Sequence, residues 1–112
     1  LFRTTNPAVI RLIHQTIQAG QEAGIWTGIC GEAAGDIRLT PLLVGLGTSE
    51  LSVGSHQVPI VKSAIRALNF KECQDLAKEI LTLDRSALLL EATTRLAKTR
   101  YPELFFEQAN DE

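Results

Sequence analysis

Two short β-type stretches limit what this chain can fold into. Residues 25–30 (Ile-Trp-Thr-Gly-Ile-Cys) and 50–53 (Glu-Leu-Ser-Val) begin about 25 residues apart, among segments of helical periodicity. That separation fits one βα repeat of a parallel sheet. The first stretch is too short for a helix and reads as a buried strand, with Trp26, Thr27 and Ile29 supplying β propensity. Two strands alone do not make a stable parallel sheet covered on both faces. The expected class is therefore α/β, with strands borrowed from another copy or the chain cut from a larger domain. A first residue Leu1 and the absence of methionine favour the cut.

The 112 residues, 45% of them apolar, can bury a modest core. A net charge of -2 gives no basic field, so neither nucleic acid nor an anionic membrane is expected as partner. No apolar run approaches the roughly 20 residues of a membrane span, and no signal-peptide pattern opens the chain. Cys30 and Cys73 lie far apart in unlike settings. They suggest a reducing compartment, and they are too few for a cysteine zinc site.

Helical signals fill the rest. Asn6-Pro7 is a helix start, Val9, Ile10, Ile13 and Ile17 share one face, and Gly24 is the stop. His14 lies among polar neighbours and is expected to face solvent. After the first strand, either Asp36 or Thr40-Pro41 opens the next helix. A helix over 40–46 is preferred because proline is tolerated only near a helix N-terminus; Gly45 and Gly47 end it. Pro59 opens another helix running to Leu68, with Val58, Val61, Ala64, Ile65 and Leu68 as its apolar face. Asn69, with Glu72 three residues on, resembles a capping box for a helix carrying Cys73, Leu76, Ala77 and Ile80. Asp84 begins a last helix ending near Lys98, and Tyr101-Pro102 breaks the pattern. Of residues 88–90, one leucine is expected to meet another helix or a second subunit, with simple core packing the equal alternative. Leu104, Phe105 and Phe106 are apolar enough to dock on a neighbour, and residues 108–112 read as a frayed tail.

The candidate chemistry is at Cys30. A thiol ending a strand, with a flexible turn after it, can face a ligand cleft; in mid-strand it would only fill core volume. In parallel α/β sheets ligands meet the carboxyl ends of the strands. Gly31 would let a substrate approach the backbone, and nearby helix N-termini would favour an anion.

Gly28-Ile29-Cys30-Gly31-Glu32-Ala33-Ala34-Gly35-Asp36 resembles the G-x-C-G-E-x-A-G-D signature of the phosphoenolpyruvate–protein phosphotransferases, enzyme I of the bacterial sugar phosphotransferase system. The run from Asn6 to Ile13, the run from Pro41 to Gly47 and Glu50-Leu51-Ser52-Val53 are similar to the segments flanking that signature. Pro59 and Lys62 fall where the family's final barrel helix begins. The likeness implies a (β/α)8 TIM barrel, a fold of typically about 250 residues. Residues 1–81 would be its last two β/α units, with strands at 25–30 and 50–53. Residues 82–112 would be a C-terminal helix and tail. It also implies that Cys30 donates a proton to the enolate left when phosphoenolpyruvate loses its phosphoryl group to a protein histidine, giving pyruvate. Gly31 and Glu32 would support the turn and the substrate-binding site, Glu32 by orienting neighbours through hydrogen bonds and not by reacting. Mg2+, its carboxylate ligands and the anion-clamping arginines are implied upstream of Leu1, leaving no metal ligand in this chain. Onward transfer to a histidine-containing phosphocarrier protein, a homodimer and a cytoplasmic setting are further implications.

Other features carry less. His56 follows a hydroxyl residue, as the family's phosphohistidine does, yet the family's pattern has no histidine there, so a loop histidine is expected. Gly45-Leu46-Gly47 lacks the continuation of a phosphate loop and is expected to end a helix. Gln57 and Gly54 depart from the family's pattern without touching the chemistry. Pyruvate phosphate dikinase and phosphoenolpyruvate synthase are the related alternatives, but their segments after Cys-Gly differ from residues 32–36. A non-catalytic, self-associating helical piece, joined through Leu42, Leu43, residues 88–90 or Phe105 and Phe106, is the alternative of another class. The chain alone is expected to be inactive.

Overall fold

Local chemistry starts the first helix where the sequence places it. The Asn6 side chain accepts a hydrogen bond from the Ala8 N–H at 2.9 Å, Pro7 opens α1 (Pro7–Ala23), and Gly24 closes it at φ 70°. The computed structural model describes residues 5–110, with side chains as far as Phe106. The chain continues through β1 (Gly28–Cys30), α2 (Glu32–Gly35), α3 (Thr40–Gly45) and β2 (Glu50–Ser52). A 3-10 turn (Ser55–Gln57) leads into α4 (Val58–Arg66), followed by α5 (Phe70–Ile80), α6 (Ser86–Arg100) and α7 (Pro102–Asn110). The molecule is a helix-rich α/β structure whose two strands pair in parallel, with Gly28 opposite Glu50, Ile29 opposite Leu51 and Cys30 opposite Ser52.

The expectation of a buried first strand is corrected. Pairing begins at Gly28, and Ile25 and Trp26 are 63% and 79% exposed. Burial alternates along both strands. Ile29 and Leu51 are half-buried, whereas Gly28, Cys30, Glu50 and Ser52 are exposed. Successive side chains point to opposite faces, so this pair has one face turned toward its own helices and one left open.

The helices supply two cores. Ile10 and Ile17 of α1, Leu42 of α3, Leu76, Ala77 and Ile80 of α5 and Leu89 of α6 form one, joined by Leu46. Ile37, Val61, Ala64, Ala97, Tyr101 and Leu104 form the other, gathering α4, the end of α6 and α7. Helix α3 crosses α5 so closely that a Cβ on Gly45 would stand 2.0 Å from the Cys73 carbonyl oxygen. Only glycine fits there without moving a helix.

Several expectations change at this level. Leu42 and Leu43 are wholly buried within the chain, so neither is free to join two copies. Of residues 88–90, Leu89 enters the core and Leu88 is 41% exposed. His14 is half-buried, and its Nδ1 is buried without a hydrogen-bond partner among the described residues. Asp84 does not start α6, which begins at Ser86 and runs to Arg100. Tyr101 interrupts the helix, but Pro102 then starts a new one, as proline can at a first helical position. The C-terminal region thus holds two helices, not one, and the expected fraying at residues 108–110 gives way to helix. Residues 111–112 lie outside the described residues.

Candidate active site

Cys30 ends β1 at the carboxyl edge of the parallel pair and is exposed. Its register partner Ser52 and the neighbouring Glu50 are exposed with it on the open face, where the Ser52 hydroxyl donates to Glu50 Oε1 at 3.4 Å. The backbone turns sharply at Gly31, with φ 84° and ψ -160°. That region is essentially restricted to glycine. A Cβ there would meet nothing within 4 Å, so the requirement is conformational and not one of space.

Glu32 is the exposed first residue of the single turn α2, which buries Ala34 and Gly35. Asp36 closes that turn through its N–H to the Ala33 carbonyl at 3.2 Å. It does not cap a following helix. Its Oδ1 accepts from the Arg38 backbone N–H and Nε, each at 3.0 Å, and its Oδ2 from Nη2 at 2.7 Å. This hydrogen bonding raises the Arg38 pKa, keeping the guanidinium charged.

The two thiols differ as strand-edge and core cysteines should. Cys73 is fully buried on α5, and desolvation pushes it up to about 11. His56 is exposed in the turn beyond β2, at the same carboxyl edge. Among the described residues, no three His, Cys, Asp or Glu side chains gather where a metal ion would be held. The one acid of the signature turn that is fully engaged, Asp36, is committed to Arg38.

Reading the sequence alone missed α2, the pairing of Cys30 with Ser52, and two long-range ties to the signature loop. Tyr101 donates its hydroxyl to the Ile37 carbonyl at 2.7 Å, and Thr93 donates to the Arg38 carbonyl at 2.9 Å. A buried tyrosine needs a partner for its O–H, but periodicity does not say which one.

Residues 1–70 match the family described as PEP-utilising enzyme, PEP-binding domain, and the chain belongs to it. The phosphoenolpyruvate-protein phosphotransferase of Buchnera aphidicola subsp. Schizaphis graminum is 46% identical over 81 residues, 72% of this chain and 14% of that protein. The protein of the same name from Mycoplasma pneumoniae is 45% identical over 83 residues, 74% of this chain and again 14% of the relative. A multiphosphoryl transfer protein of Escherichia coli O6:H1 is 41% identical over 92 residues, covering 82% of this chain and 11% of its own length. The chain thus spans only 11–14% of the length of these three relatives. No described helix is long and apolar enough to cross a membrane.

Proposed function

We propose that this chain supplies the proton-donating edge of a phosphoenolpyruvate site in a phosphoenolpyruvate–protein phosphotransferase. One observation carries the reading: an exposed thiol ends a parallel strand on its open face, immediately before a glycine-only turn. The reaction would move the phosphoryl group of phosphoenolpyruvate to a protein histidine, leaving the enolate of pyruvate. Cys30 would give its S–H proton to the methylene carbon of that enolate, and the thiolate would recover a proton from solvent. A thiol is an adequate general acid when held against a developing carbanion. Gly31 allows the turn, and Glu32 orients neighbours from the first position of α2.

Residues 1–81 would be the last two β/α units of a TIM barrel, and residues 82–112 its C-terminal extension. The open strand face, bearing Gly28, Cys30, Glu50 and Ser52, supports this reading. It would be the lumen side of the missing sheet. Mg2+ would be held by other segments of the longer protein. That protein would act in sugar uptake in the cytoplasm, as a dimer, passing phosphate to a histidine-containing phosphocarrier protein.

The test is Cys30→Ala in the complete polypeptide carrying this segment. Pyruvate formation should fall about 100-fold or more, with phosphoenolpyruvate still bound. Near-normal turnover would remove Cys30 from the chemistry. The 112-residue chain alone should release no pyruvate, and robust turnover would refute the reading of it as part of a larger site.

A further inference from the structure

The loop that follows Cys30 is held from the far end of the chain. Between α2 and α3 the backbone passes through Ile37 to Leu39, and Ile37 and Leu39 are buried. Buried carbonyls need donors, and a loop has no helical or sheet ladder to provide them. Here two come from side chains, the Tyr101 hydroxyl on the Ile37 carbonyl and the Thr93 hydroxyl on the Arg38 carbonyl. Both donors are fully buried, 64 and 55 residues along the chain from their acceptors. Both also lie beyond residues 1–70, the part matched by the family. Tyr101 is fixed in turn by stacking on Phe105, with ring centroids 6.0 Å apart.

The loop's other backbone bonds are local: Leu39 N–H to the Asp36 carbonyl at 2.9 Å, Arg38 N–H to Asp36 Oδ1 at 3.0 Å and Leu43 N–H to the Leu39 carbonyl at 3.0 Å. Asp36 itself leans on Ala33 of α2, one turn from Cys30. The two anchors therefore set where α2 ends, and α2 sets how the Gly31 turn presents the thiol.

We infer that Thr93 and Tyr101 are positioning residues, an α6–α7 clamp that fixes the signature loop and through it the orientation of Cys30. Its consequence for catalysis rests on the proposed role of Cys30, but the clamp is testable without turnover. In the 112-residue chain, amide hydrogen exchange and alkylation of Cys30 by iodoacetamide are followed in Tyr101→Phe, Thr93→Val and Thr93→Ser. In Tyr101→Phe and Thr93→Val, exchange at Arg38 and Leu39 should accelerate about tenfold or more. Amides of α1 should keep their rates, and the Cys30 alkylation rate should change. Thr93→Ser keeps the hydroxyl and should behave as the parent. Thr93→Val is nearly isosteric, which keeps the test informative if Tyr101→Phe unfolds.

Parent-like exchange at Arg38 and Leu39 in Thr93→Val would overturn the clamp. So would acceleration spread evenly over every element, or unchanged Cys30 alkylation. Failure of the clamp would leave the Cys30→Ala result standing. Failure of Cys30 in pyruvate formation would leave the exchange result standing.

Discussion

Gly31 and Gly45 are glycines for different reasons, and substitution separates them. At Gly31 the cost is backbone strain alone, so Gly31→Ala should destabilise the chain by about 1–3 kcal/mol. At Gly45 the new methyl would collide with the Cys73 carbonyl, and α3 would have to leave α5. Gly45→Ala should therefore cost about 3 kcal/mol or more. Urea midpoints rank the two variants, and a Gly45→Ala midpoint equal to the parent's would contradict the helix contact. Cys73 and Tyr101 make the fold sensitive to alkali. Burial raises Cys73 from its usual 9.0 to about 11 and raises Tyr101 as well. Above pH 9.0 the unfolded chain gives up protons that the folded chain retains, so stability present at neutral pH falls as pH climbs toward about 11. A urea midpoint that stays flat across that range would contradict the burial of both groups.

Helix ends were the most legible elements because their chemistry is local. Asn69 Oδ1 accepts from the Glu72 N–H at 3.0 Å, and Asn6 serves α1 in the same way. Asn69→Ala should cost about 1 kcal/mol in thermal or chemical unfolding; no change would mean α5 starts without its cap. The capping box is only half made. The Glu72 carboxylate turns to Arg100 of α6, accepting from Nε at 2.7 Å, and this pairing holds it below the usual carboxylate range. A competing partner 28 residues away was invisible to the local motif. The same limit explains α6 and α7. Pro102 looked like an ending, yet it became a first helical residue because Tyr101 found a buried place between the two helices.

At the scale of the molecule, helices do most of the burial. The radius of gyration, 13.4 Å, is that of an ordinary domain near this length, although the described residues form a sheet of two strands. Part of the apolar surface left over lies before and beside β1, where Leu12 is 57% exposed, Ile25 63% and Trp26 79%; the rest is spread over α4 to α7, at Val58, Ile65, Phe70, Leu88 and Phe106. Trp26 is the single tryptophan, so its emission reports this surface alone. The isolated chain should fluoresce like an indole in water and scatter light as oligomers at high concentration. Leu12→Ser with Ile25→Ser should suppress that association. A blue-shifted, monomeric chain would mean that this surface is already covered. The first helix, the two strands, α3 to α5, the asparagine caps and the thiol at a strand's end were written in local residue pattern, because spacing, capping and turn chemistry act over a few positions. Which strand face stays open, which leucines close the core, and which distant hydroxyls hold the loop behind Cys30 were settled only in three dimensions. Those outcomes depend on pairing across the chain, and a buried carbonyl accepts from whichever donor packing brings to it.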